Sequence, residues 1–222
     1  MSAILFGSIS TIADTSELQR EAFNKAFAAH DLGWIWSRAD YQSMLTTSGG
    51  RARIAAYARS RGQRVDAQAV HATKTEMFAH DVANMQITAR PHVGEAISAA
   101  HAHGIKVGLV TTTSARNISA LLDALHPHIT PDMFDIIVDG SDVQHRKPAG
   151  DAYRYALLCM REKATHAVAI EDNIDGVTAA HAAHLTCLAF PNQNTTGHDF
   201  THAHHHINQI NFTDLADLLP EH

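Results

Sequence analysis

The sequence predicts an α/β protein: a doubly wound parallel sheet with an all-helical segment inserted after its first strand. Three observations carry that expectation. From about residue 90 onward, short apolar runs alternate with stretches of helical spacing, the pattern of βαβ units whose helices cover both sheet faces. One more apolar run, Ala3–Phe6, stands alone near the start. Between the two, as far as Met85, the apolar spacing is helical throughout, without a strand signal. The expected division is a core of residues 1–14 and 89–222 and a helical cap of residues 15–88.

Each element has a local reason. Ala3–Phe6 is apolar throughout, as a buried strand requires, and runs into Gly7-Ser8-Ile9-Ser10-Thr11, expected as a loop. Asp14-Thr15-Ser16 offers N-caps, with Ser16 and Gln19 spaced as a capping box. Leu18, Ala22, Phe23, Ala26 and Phe27 then follow at helical spacing. Breaks at "LGW" and Gly49-Gly50 separate further helices around Tyr41, "RIAAYARSRG" and "DAQAVHATKTEMFAHDVANM". Behind Arg90-Pro91, "IKVGLV", "FDIIVDG", "HAVAIED" and "LTCLAFP" read as strands. The helices between them include one bearing Ile118, Leu121, Leu122 and Leu125, and one with a Tyr153, Ala156, Leu157 and Met160 stripe.

Composition narrows the function. A formal charge of −6 argues against nucleic acid as the main partner, because a phosphate backbone favours a basic surface. Eighteen histidines exceed the seventeen Lys+Arg, so the net negative charge shrinks on mild acidification. Cys159 and Cys187 sit in the apolar runs "YALLCM" and "TCLAF" and read as buried thiols of a reducing compartment. No secretory signal and no window of membrane-spanning length is evident, so a cytoplasmic location and no membrane partner are expected.

In an open parallel sheet, ligands bind beyond the carboxyl ends of the strands. Those ends carry Gly7 to Thr11, then Thr111-Thr112-Thr113-Ser114, then Lys147-Pro148, and then Glu171-Asp172-Asn173. Hydroxyls at a helix start, one lysine and an acidic pair suit a phosphate with magnesium.

These residues, in this order, resemble the haloacid dehalogenase superfamily. The match is to its branch with a helical cap after the first strand, as in β-phosphoglucomutase and xylulose-bisphosphate phosphatase. "AFNKAF", "GGRARI", "RPHV", "VTTTS", "RKPAGDAY", "IEDNIDGVTAAHAAH" and "AFPN" carry the likeness across nearly the whole chain. The family's first motif reads hydrophobic, Asp, any residue, Asp, Gly, Thr. Here Gly7 takes the place of the nucleophilic aspartate and Ile9 that of the acid/base aspartate, while Thr11 remains. Glycine cannot form an aspartyl-phosphate and isoleucine cannot move a proton. Loss of the general acid alone costs about 10²–10⁴-fold.

The resemblance implies that Thr11, Thr111, Thr112 and Lys147 bind phosphate, that Arg53 meets the substrate from the cap, and that Glu171 and Asp172 hold magnesium more weakly than usual. It implies no organic cofactor. Other roles stand beside these: helix capping for Thr111 and Asp172, and a solvated surface position for Arg53. Ser8 and Ser10 lack a recognisable base, and Asp14 reads as an N-cap. His202, His204, His205 and His206 read as surface residues, while His92 and His184 stand where the branch has glycine. The expected function is a catalytically impaired phosphatase or phosphomutase homologue that binds a small phosphorylated metabolite or inorganic phosphate. The alternative is an active magnesium-dependent hydrolase of small sugar phosphates working by a non-covalent route.

Overall fold

The structure is a computed structural model that describes residues 2–46 and 49–220. A short strand β1 (Ala3–Phe6) leads into a single helical turn, α1 (Ile9–Ile12). Helices α2 (Ser16–Ala29), α3 (Arg38–Met44), α4 (Gly50–Ser60) and α5 (Ala67–Asn84) follow, with no strand between them among the described residues. Then come α6 (Val93–Ala102), β2 (Lys106–Val110), α7 (Ala115–Leu125), β3 (Ile136–Val138) and α8 (Asp151–Met160). The chain continues through β4 (Ala167–Glu171), α9 (Ile174–Ala182), β5 (Thr186–Ala189), β6 (His205–His206) and α10 (Phe212–Ala216).

The strands form one six-stranded sheet in the order β3-β2-β1-β4-β5-β6, and every pairing is parallel. β1 therefore sits inside the sheet between β2 and β4, with Phe6 opposite Leu109 on one side and Ile170 on the other. Alternate residues serve opposite faces, as the two-residue strand period demands. Ile4, Phe6, Val107, Leu109, Val168 and Ile170 join one apolar cluster, which also takes in α6 and α7. Ala3, Leu5, Val110, Ala167, Ala169 and Cys187 join the cluster on the other face, under α8 and α9.

The cap helices have an apolar centre of their own. Phe23, Phe27, Trp34, Trp36, Tyr41, Ile54, Ala58 and Val70 are buried together. Trp36 meets Phe27 edge-on with ring centroids 4.6 Å apart and lies 4.8 Å from Phe23, geometries that add to simple area burial. Asn24 fixes that segment by accepting from the Trp36 backbone N–H at 2.8 Å and donating to its carbonyl at 3.1 Å.

The stretch 191–198, beyond β5, ties the cap to the sheet. Asn194 donates to Glu17 at 2.7 Å and accepts from Gln42 at 3.3 Å, and His198 donates to the Gln42 carbonyl at 3.0 Å. The Gln193 backbone N–H reaches Asp14 at 2.9 Å. Arg90 supports the base of this stretch, donating to the carbonyls of Phe190 and Pro191 at 2.9 and 2.7 Å.

Several local expectations need correction. The segment after β1 is not a loop: Ser8 caps α1 by accepting from the Ser10 N–H at 3.0 Å. The N-cap of α2 is Thr15 rather than Ser16, without a side-chain cap bond, so no capping box forms with Gln19. Asp14 supplies the acceptor there, taking the Ser16 N–H at 3.1 Å and its hydroxyl at 2.6 Å. Cys159 is exposed, and only Cys187 is buried. The histidine-rich stretch contributes β6, which pairs beside β5 through its backbone. His92 and His184 take left-handed backbones (φ 65° and 61°), as their glycine-like placement requires.

Candidate functional site

The carboxyl ends of β1, β2 and β4 converge on one buried cation. Gly7 continues the β1–β4 ladder, its N–H donating to the Ile170 carbonyl at 2.8 Å. Its own carbonyl accepts from Lys147 Nζ. Lys147, 7% exposed, also donates to the Val110 carbonyl at 2.7 Å and to Glu171 Oε1 at 2.6 Å. An ammonium has three N–H groups, and all three are engaged within the protein.

Glu171, the last residue of β4, is completely buried. Tyr153 on α8 donates to its Oε1 at 2.7 Å, while Oε2 has no hydrogen-bond partner among the described residues. Burial raises the Glu171 carboxyl above its usual range, and Lys147 works against that rise. The carboxylate lies where side chains at two glycines would begin. A Cβ on Gly7 would come within 2.2 Å of both Glu171 Oε1 and the Tyr153 hydroxyl. A Cβ on Gly176 would come within 2.1 Å of Glu171 Oε2. Both positions therefore need glycine for close approach rather than for backbone freedom.

Asp172 is held differently. Its Oδ1 accepts from the Ser8 hydroxyl and from Asn173 Nδ2, each at 2.8 Å, and its Oδ2 from Asn192 at 2.6 Å. Its carbonyl accepts from Thr195 at 2.6 Å. The cap of α9 is Asn173, accepting from the Gly176 N–H at 2.9 Å, so Asp172 is not an N-cap. Thr111 does not cap α7 either. Ser114 does so, and the Thr111 hydroxyl accepts from the Thr113 N–H at 3.2 Å.

Of the expected phosphate ligands, Lys147 and Thr111 lie at these strand ends, and Thr112 beside them is half-buried. Thr11 is fully buried, and its hydroxyl donates to the Ser8 carbonyl at 2.7 Å. Ile9 turns into the sheet's apolar cluster and presents no polar group. Arg53 lies in the cap, donating to the Met44 carbonyl at 3.0 Å with its guanidinium 5.6 Å from the Tyr41 ring.

Sequence reasoning passed over four side chains of this region: Tyr153, Asn192, His71 and Lys74. Tyr153 read only as part of an apolar stripe, yet it carries the second hydrogen bond to Glu171. Lys74 is buried with its ammonium 4.9 Å from both the Phe23 and Phe78 rings, and it donates to Gln19. Burial, helped by Arg53, brings Lys74 down to about 7. Burial also holds the His71 imidazole down to about 4, and Lys74, Arg146, Arg51 and Arg53 add to that depression.

A magnesium ion takes oxygen donors in octahedral array. In this arrangement the residues do not fit one. Gly7 offers no carboxylate, the buried Glu171 shares its Oε1 between Lys147 and Tyr153, and each Asp172 oxygen already accepts from a neutral donor. Among the described residues, no group of three or more His, Cys, Asp or Glu is placed to hold a metal.

The fold and the strand-end residues define a class, and comparison with known proteins agrees. Residues 1–184 match the family model described as haloacid dehalogenase-like hydrolase, and the chain belongs to that family, in its helical-cap branch. It is 38% identical to Protein CbbY of Cereibacter sphaeroides over 221 residues, covering 97% of this chain and 94% of the relative. Crystal structures of CbbY from Rhodobacter sphaeroides, one in complex with phosphate and one of a mutant in complex with xylulose-(1,5)bisphosphate, superpose with a TM-score of 0.86 at 37% identity over 94% of each chain. A β-phosphoglucomutase from Clostridium difficile, 18% identical with a TM-score of 0.78 over 98% of this chain and 96% of its own length, shares the fold. No helix among the described residues is long and apolar enough to cross a membrane.

Proposed function

We propose that this chain binds a small phosphorylated sugar between cap and core and lacks the covalent aspartyl-phosphate route of its family. One observation carries the reading: the end of β1 bears no carboxylate, and Glu171 lies against Gly7 where a nucleophile's side chain would start. Arg53 in the cap and Lys147 at the strand ends support a phosphorylated ligand, because each unit contributes a cation. The bound phosphate and sugar bisphosphate of the CbbY structures support the same ligand class. Residues 15–88 serve as the cap in this reading, with Arg53, Thr111, Thr112 and Lys147 as ligand-binding residues.

Active hydrolysis of sugar phosphates is the second reading, and the family match with the whole-length kinship to CbbY supports it at least as strongly. A specific observation favours it too. The Ser8 hydroxyl donates to Asp172 at 2.8 Å, so a serine at the end of β1 has the carboxylate partner that the sequence did not reveal. One assay separates the readings: wild type and Gly7→Asp/Ile9→Asp on a panel of sugar phosphates and bisphosphates, with and without Mg²⁺. Inactive wild type that still binds a panel member supports the first reading. Turnover by wild type, lost in Asp172→Ala, establishes the second.

A further inference from the structure

Resting on the ligand class proposed above, we propose that Glu171 is a built-in anion at Lys147, so that an external phosphate reaches this lysine only by displacing the Glu171 carboxylate. Three features of the site point there.

First, Lys147 has no N–H to spare. Two are fixed on the backbone carbonyls of Gly7 and Val110, and the third is on Glu171 Oε1. The carbonyls belong to the sheet framework, which leaves the glutamate as the one partner able to move aside. Its charge also cancels that of the lysine, so the buried pair offers little attraction to a second anion.

Second, the carboxylate fits its seat only because Gly7 and Gly176 lack side chains. A methyl group at either position would overlap a terminal oxygen of Glu171. Glycine at position 7 therefore leaves the space in which the Glu171 carboxylate reaches Lys147.

Third, the seat is incompletely satisfied. Oε1 has two donors, Lys147 and Tyr153, but Oε2 is buried with no partner among the described residues. Such an unpaired oxygen weakens the hold on the carboxylate. Glutamate has three side-chain torsions through which its carboxylate can turn.

The test measures inorganic phosphate binding by calorimetry on the full chain, comparing wild type, Glu171→Gln and Gly7→Ala. Glu171→Gln keeps the shape and removes the charge, while Gly7→Ala evicts the carboxylate from the opposite side. Both variants should bind phosphate about tenfold or more tighter than wild type, the size of one charge-assisted hydrogen bond gained. Lys147→Met in the Glu171→Gln background should abolish the gain. Equal or weaker phosphate binding in both variants overturns the displacement, and so does a gain that survives Lys147→Met. A parallel titration with xylulose bisphosphate keeps the two ideas apart. Variants that gain phosphate while no form binds the sugar would uphold the displacement and refute the ligand class. Sugar binding by wild type with no phosphate gain in either variant would do the reverse.

Discussion

The Ser8 hydroxyl and the Asp172 carboxylate, 164 residues apart in sequence, share a 2.8 Å hydrogen bond across the ends of β1 and β4. The same oxygen atom of Ser8 accepts the Ser10 N–H and so starts α1. Ser8→Ala removes both interactions. The expected loss is about 1 kcal/mol, or about 2–4 °C in Tm for a chain of this size, read by thermal unfolding. If wild type hydrolyses a sugar phosphate through this hydroxyl, the variant loses turnover while keeping its ligand affinity.

Lys147 and Glu171 are both buried, and such a pair behaves asymmetrically on mutation. Lys147→Met leaves the Glu171 charge without its counter-ion, with an expected cost of about 3–5 kcal/mol. Glu171→Gln keeps a hydrogen-bonding group opposite the lysine and should cost less. In Lys147→Met/Glu171→Gln, stability should recover part of the first loss. Urea unfolding of the four proteins gives the coupling directly, and purely additive losses would contradict it.

Lys74 makes stability depend on pH in a defined direction. Its folded value is about 7 against an ordinary 10.5, so between these limits the unfolded chain holds a proton that the folded chain has shed. Stability from this group therefore rises as pH climbs from about 7, by at most about 1.4 kcal/mol per unit, and is reduced below pH 7. Lys74→Met should be the more stable protein at pH 6.5, with the difference shrinking by pH 9.5. Urea midpoints of both proteins at the two pH values check this.

Trp36 anchors the aromatic centre of the cap. Trp36→Ala removes its packing against Phe23 and Phe27, at an expected cost of about 3–5 kcal/mol. Near-ultraviolet circular dichroism should lose the Trp36 contribution and keep that of Trp34, while backbone exchange protection in β1 and β4 should change far less than in α2 and α5.

What the sequence made readable follows from what each level of structure depends on. The parallel core was visible because strands buried on both faces are continuous apolar runs, and "KVGLV" and "AVAIE" are such runs. β6 was not, because His205 and His206 pair through backbone groups and bury no side chain. Cys159 misled for a related reason. Its neighbours in "YALLCM" are apolar, but the helical phase turns Cys159 outward along with Leu158, while Leu157 and Met160 face the core. At the site, motif order placed Gly7, Lys147, Glu171 and Asp172 at the right strand ends. It could not show that Glu171 turns into the space beside Gly7, or that Ser8 finds Asp172. Those contacts depend on side-chain direction between residues distant in sequence, which local spacing does not encode.

The stretch 191–198 has a consequence for how this protein can change. Surface connections ordinarily absorb insertions and deletions with little penalty. Here Asn192 grips Asp172 while Asn194 and His198, a few positions along, grip the cap. One residue added or removed between them would put the two grips out of step. This strip is therefore a poor choice for grafting a tag or lengthening a linker, and the exposed turn at Gly62, which lies in open space and keeps its glycine for a φ of 65°, is the better place to cut and extend.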